Sequence, residues 1–166
     1  MTVRPILHYP DPGLRRVAQP VETFDASVTD LIADLTDTLR SVSGIGITAP
    51  HIGVPLRVYI LDMPGEARIR TYINPRITWA SDTLIRHEEG SVSMPGVTDT
   101  LERSAEVRLS YQDVTGQEQE ESADGFLAVC HQHEIDQLDG VFWIQRLSKL
   151  KRDRLVKRFS KLAPTN

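Results

Sequence analysis

With 166 residues, 40% hydrophobic and 25% charged, and a net charge of −4, the chain has the composition of an ordinary water-soluble globular protein. A chain of this length buries roughly 70% of the surface its unfolded form exposes, so neither a disulfide nor a metal staple is required on size grounds. The single cysteine, Cys130, excludes an internal disulfide framework and fits a reducing compartment. Met1 to Pro10 lacks a charged segment followed by a long apolar run, and no stretch approaches the ~20 apolar residues of a membrane span. A cytoplasmic chain is therefore expected. Proline and glycine are scattered as punctuation, with no repeat or linker, so residues 1–166 are expected to form one domain.

In chain order, Val28, Leu31, Ile32, Leu35, Leu39 and Val42 follow i, i+3, i+4, i+7 spacing and predict a helix over about 25–42. Asp25 can cap its start and Ser43-Gly44 can end it. Gly44-Ile45-Gly46 then leads into an extended segment. Residues 56–61 form an apolar, β-branched run that predicts a buried strand. Residues 69–73 predict another, stopped by Asn74-Pro75, and residues 83–88 a weaker one. Ala105, Val107, Leu109 and Tyr111 alternate with polar residues, the pattern of a half-buried strand. After Thr115-Gly116 the charges of residues 117–121 suit an exposed edge strand.

Asp124 is expected to cap a second helix over about 125–138, ended by Asp139-Gly140, and Ser148 to cap a third, with apolar positions Leu150, Leu155, Phe159 and Leu162. The third helix carries Lys149, Lys151, Arg152, Arg154, Lys157, Arg158 and Lys161 against Asp153 alone, a charge of +6 that leaves −10 for the rest. Such a helix is either a solvated face or a contact for an anionic partner such as RNA. Helix, strands, then two helices predict an α+β fold, mainly antiparallel strands wrapped around a central helix.

The chemistry centres on His133-Glu134-Ile135-Asp136-Gln137. In a zinc-hydrolase helix, metal ligands at i and i+4 share one face and a carboxylate beside the first acts as general base. His133 and Glu134 match this layout, whereas Gln137 puts a neutral amide where an imidazole is required.

Three segments together resemble the peptide deformylase family. Gly44-Ile45-Gly46-Ile47-Thr48-Ala49-Pro50-His51 is similar to its first motif, Gly-x-Gly-Leu-Ala-Ala-x-Gln. Glu89-Gly90-Ser91-Val92-Ser93 is similar to its second, Glu-Gly-Cys-Leu-Ser. Residues 132–140 are similar to its third, Gln-His-Glu-x-Asp-His-Leu-x-Gly. Order and separations agree, and so do Ile6-Leu7, Pro10-Asp11-Pro12, Leu14-Arg15 and the strand from Glu106-Val107 to Tyr111-Gln112-Asp113.

The resemblance implies the peptide deformylase fold and removal of the formyl group from N-formylmethionyl peptides. The family does this with a water on iron(II), for which zinc or nickel can substitute, held by one thiolate and two imidazoles. The thiolate position is Ser91, and the imidazole positions are His133 and Gln137. The position of the glutamine that holds the oxyanion is His51, and the proton-transferring glutamate is Glu134. Ser91 and Gln137 replace two of three strong ligands, so the expectation is no cofactor, a vacant set of ligand positions and no deformylase activity.

Without a metal, Glu134 is expected to take a proton or a hydrogen bond from Gln137 or Ser91. The alternative is an active hydrolase in which His51 joins His133 as a compensating ligand. His131 is expected on another helix face, His87 on a strand without an identified partner, and Cys130 in the core. A groove for an extended peptide is expected at Gly44, Gly46, Ile47 and Val129. The partners this implies are the N-terminal peptides of nascent chains and, through the basic helix, the ribosome; neither a membrane nor DNA is expected.

Overall fold

A computed structural model describes residues 2–162. Helix α1 (Ala26–Ser41) starts where the Asp25 carboxylate accepts from the Ser27 N–H. Val28, Leu31, Leu35 and Leu39 are its buried stripe, each large aliphatic side chain contributing about 1.5–3 kcal/mol by leaving water. Strand β1 (Gly46–Thr48) follows, then a 3-10 turn (Ala49–Ile52), β2 (Val58–Leu61), β3 (Arg70–Ala80), β4 (Leu84–Ser91), β5 (Met94–Ser104), β6 (Glu106–Gln112) and β7 (Glu118–Asp124). Helix α2 (Gly125–Leu138) and helix α3 (Lys149–Leu162) complete the described chain.

The strands form a five-stranded antiparallel sheet in the order β1-β2-β3-β6-β7 and a separate β4-β5 hairpin. β2 shows why its run is continuously apolar. Val58 and Ile60 face the α1 side, with Leu35, Leu39 and Ile73, while Tyr59 and Leu61 face α2, with Ala128, Ile135 and Leu138. Both faces are covered, so there is no polar alternation. α2 touches strands of both sheets and is buried nearly all round, as a central helix must be. The expected α+β arrangement is observed. A third cluster fastens α3 to the hairpin through Leu155 and Phe159 against Met94, Val97 and Leu101, with Trp143.

Four expectations are corrected. Asn74-Pro75 does not stop β3, because the strand passes it on a bulge between Ile73 and Arg76. Asn74 sits at φ 50°. Its side chain replaces the lost ladder by accepting from the Val21 N–H at 2.8 Å and donating to the Val21 carbonyl at 2.9 Å. β5 is absent from the predicted elements, because Asp99 and Arg103 interrupt its apolar alternation, and Arg103 in fact points inward and is buried. On α3, Leu150 and Leu162 are exposed and only Leu155 and Phe159 are buried. Asp124 occupies the N-cap position of α2 but makes no capping bond with its side chain.

Candidate active site

Helical spacing sets the site's first wall. On α2, Val129 stands four residues before His133 and Cys130 four before Glu134, and all four border one cavity of about 570 Å³. Gly44, Ile45, Gly46 and His51 form the wall opposite, and Glu89, Gly90, Ser91 and Val92 at the end of β4 form a third. Gly46 is needed here because a Cβ would come within 2.8 Å of Glu134 Oε1 and 2.9 Å of Leu61 Cδ2. Ile47 does not line the cavity; it is fully buried among the α1-side core residues. β-Alternation turns it to the opposite face from Gly46. Gln137, although on the His133 face of the helix, is also outside the lining, and its amide Nε2 donates to the Leu14 carbonyl at 2.7 Å.

His133 is held by Glu89, 2.7 Å from Nδ1 to Oε1. Burial alone would raise the Glu89 carboxyl, but hydrogen bonds from Arg103 and His133 outweigh it and hold the group at about 2. An ionised carboxylate only accepts, so His133 Nδ1 carries the proton and Nε2 faces the site, 3.9 Å from Glu134 Oε1. Burial disfavours charge on His133, yet the bond to Glu89 and the fields of Glu134 and Glu89 raise its pKa. Arg103 grips Glu89 with both ends of its guanidinium at 2.8 and 2.9 Å and reaches Asp136 at 2.6 Å, and Asp136 also binds Arg146 at 2.8 Å. Glu89, Arg103, Asp136 and Arg146 thus form a chain of alternating charge behind one imidazole. The motif pattern marked Glu89 but not its role, and nothing near Arg103 marked it as its partner.

His51 is positioned by the 3-10 turn it belongs to. Its backbone N–H donates to Thr48 Oγ1 at 3.3 Å, and its Nδ1 accepts from the Thr48 N–H at 2.9 Å. A backbone N–H can only donate, so the ring proton stands on Nε2. Burial, with a smaller effect of His133, lowers the pKa of His51 to about 3, so the ring is neutral. Among the described residues its Nε2 has no hydrogen-bond partner, and neither does Glu134 Oε2. Burial raises the Glu134 carboxyl to about 7; His133 and Arg103 oppose this and Glu89 reinforces it. Gln137 and Ser91 do not supply the hydrogen bond expected for Glu134. Gln137 donates to Leu14, and Ser91 Oγ accepts from the Ser93 N–H at 3.1 Å.

The remaining titratable residues also have locations. His131 is on the opposite face of α2 and is fully buried, with Nδ1 2.7 Å from the Tyr59 hydroxyl and Nε2 against Glu121. His87 is on β4 and has partners after all: Nδ1 lies 2.7 Å from the Glu88 carbonyl and the ring stacks on Phe126. Cys130 borders the cavity, but burial pushes its thiol up to about 12, aided by Glu134 and Glu89, so it is not a thiolate at neutral pH.

Comparison with known proteins agrees with this architecture. The family model for polypeptide deformylase matches residues 3–153, and the chain belongs to that family. It is 61% identical over 162 residues to a peptide deformylase-like protein of Brucella melitensis biotype 1, covering 98% of this chain and 99% of that one. It is 43% identical over 166 residues to a peptide deformylase of Phenylobacterium zucineum, covering 98% of each. A crystal structure of a peptide deformylase from Legionella pneumophila superposes with a TM-score of 0.92 at 38% identity, over 97% of this chain and 95% of that one. The actinonin complex of the Ehrlichia chaffeensis enzyme superposes at 0.93 with 33% identity, over 99% of this chain and 100% of that one.

Proposed function

We propose that this protein is a deformylase-family member without metal-dependent deformylase activity, which acts in the cytoplasm by binding peptide N-termini. The observation that carries the reading is the chemistry at the family's three ligand positions. Only His133 is a strong ligand there. Ser91 offers a hydroxyl and Gln137 a carboxamide, neither a good donor to iron(II), zinc or nickel. Gln137 has already committed its amide nitrogen to Leu14. His51 is no substitute while the Thr48 N–H occupies Nδ1, because Nε2 then presents a proton in place of a lone pair. Among the described residues no group of three or more His, Cys, Asp or Glu side chains is arranged to hold a metal ion. The donor set does not fit the family's metal.

What favours binding is the edge of the large sheet. The Ile45 carbonyl accepts from the Asp62 N–H at 2.7 Å and so faces β2. By antiparallel alternation Gly46 turns its N–H and C=O the other way, to the free edge of the sheet. An extended peptide can add there as a strand. Exposed Lys149, Arg154, Lys157, Arg158 and Lys161 on α3 offer a second contact, to ribosomal RNA. Of the described residues, no helix is long and apolar enough to cross a membrane.

The rival, a hydrolase with an altered ligand set, draws on the 43% identical relative named as a peptide deformylase and on the retained Glu134. Elemental analysis of dialysed protein and a formyl-Met peptide assay decide between them. We expect no stoichiometric transition metal and no turnover. One tightly held metal per chain, with turnover that disappears in Glu134→Ala, would establish the rival.

A further inference from the structure

Beside α3 lies a concavity that the peptide-binding reading does not use. Helical spacing puts Arg152 and Val156 on one row of α3 and Asp153 and Lys157 on the next. Leu155 and Phe159 fix the helix to the hairpin, and Val156 and Tyr9 pack on the same core cluster. Tyr9, Arg15 and Gln145 close the other side, leaving a cavity of about 400 Å³. Tyr9, Arg15 and Gln145 also border a cavity of about 230 Å³, so the two adjoin as one groove. The smaller part is walled by Pro10, Pro12, Leu14 and Phe142. The Tyr9 ring lies nearly parallel to Phe142, with 5.8 Å between centroids.

The two ends differ in charge. Arg15, Arg152 and Lys157 line the larger cavity, and none of their side chains forms an ion pair or hydrogen bond among the described residues. The carboxylate beside them, Asp153, is taken by Lys149 at 2.7 Å. Three cations converging on one concavity repel one another, and an anion bound among them removes that cost. Asp11 stands at the far end. Its Oδ1 accepts from the Gly13 N–H at 2.8 Å, which leaves Oδ2 for another donor. Gln145 Oε1 accepts from the Phe142 N–H at 2.9 Å, which leaves its amide NH2 for another acceptor.

We infer that this groove binds a nucleoside 5′-diphosphate, with the phosphates among Arg15, Arg152 and Lys157 and the base in the smaller cavity. A phosphate monoester carries only about −1.5 to −2 charges, so three cations are better matched by a diphosphate. The guanidinium groups meet phosphate oxygens in pairs, and Lys157 adds a point charge. Asp11 repels phosphate from the far end and so fixes the ligand's direction. There Asp11 Oδ2 accepts from an exocyclic amine and the Gln145 amide donates to a ring nitrogen. The proline and phenyl rings cover the faces of the base. Adenine supplies both the amine and the ring nitrogen.

Isothermal titration calorimetry on the whole chain tests this with ADP, adenosine and inorganic pyrophosphate. ADP should bind once per chain and about tenfold tighter or better than either half, because it alone engages both ends. Arg152→Ala should weaken ADP binding about tenfold, the scale of one charge-assisted contact. Arg158→Ala with Lys161→Ala removes two cations of α3 that lie outside the groove, and it should leave ADP affinity unchanged. An equal loss in that outer variant would mean diffuse attraction to a basic helix and would refute the inference. Pyrophosphate that binds as tightly as ADP refutes it too, since the base would then have no seat. So does an absence of ADP binding; a single-stranded RNA of about ten nucleotides that binds where ADP does not would assign the cations to an RNA contact instead. Should Arg152→Ala not fold, Lys157→Ala, at an exposed position, is read in the same way.

Discussion

Replacing Arg103 by methionine would leave Glu89 buried with only His133 to support it. The Arg103 and Glu89 side chains are 5% and 4% exposed, and two guanidinium bonds of 2.8 and 2.9 Å join them. Removing one partner of such a pair costs about 3–5 kcal/mol, because the other charge stays behind. The depressed Glu89 carboxyl, held at about 2 against burial by hydrogen bonds from Arg103 and His133, agrees in direction, since its ionised form is what the pair stabilises. Asp136 keeps Arg146 and adds little to the loss. Thermal unfolding followed by circular dichroism should therefore show the midpoint of Arg103→Met lower by about 6–20 °C at pH 7, from ~2–4 °C per kcal/mol for a chain of this size.

The sign with pH is fixed. A carboxyl depressed in the folded state contributes fully above its unfolded value of 4.5 and loses that contribution as pH falls toward 2. The gap between the two proteins should therefore narrow steadily below about pH 4.5. In addition, Glu89→Gln with Arg103→Met should cost less than the two single changes added. A loss under about 1 kcal/mol, or a gap unchanged at pH 3, would show that Arg103 does not hold Glu89 as described.

Three further outcomes are expected. Ser91→Cys with Gln137→His should bind zinc or nickel while each single variant binds far less, since an imidazole introduced in place of the Gln137 amide can keep the bond to the Leu14 carbonyl through Nδ1–H and turn Nε2 to the site; a folded double variant that takes up no metal would mean that the pocket itself has been remodelled. Treatment with a chelator should leave the unfolding midpoint unchanged, and a fall of several degrees would expose a structural ion. Gly46→Leu should cost about 1–3 kcal/mol and weaken peptide binding, because its Cβ would already lie 2.8 Å from Glu134 Oε1; peptide affinity equal to that of the parent protein would remove the β1 edge from the groove.

Much of this protein was legible in its residues because the signals are local. Helix α1 was bounded to within a residue at each end, since its apolar stripe and its Asp25 cap act within a few turns. α2 was bounded as predicted, and its spacing placed His133 and Glu134 on one face. The three motifs, read in order, identified the family across nearly the whole chain. Local patterns also misled where a distant partner overruled them. Asn74-Pro75 reads as a stop, but the backbone of Val21, 53 residues away, completes the bonds the bulge leaves open. Nothing local to Arg103 marks it as buried, yet folding brings it to Glu89, 14 residues away on the paired strand, and to Asp136, 33 away on α2.

The site's chemistry was decided in the same way. Residue identities were enough to align Ser91 and Gln137 with the positions where the resemblance implies a thiolate and an imidazole. Tertiary packing then gave the Gln137 amide to Leu14, 123 residues away, and set the proton of His133 through Glu89, 44 residues away. It also left Glu134 Oε2 and His51 Nε2 without hydrogen-bond partners among the described residues. A sequence states which groups are present, but a group's charge, tautomer and unmet hydrogen bonds depend on the dielectric and the neighbours that the folded chain places around it.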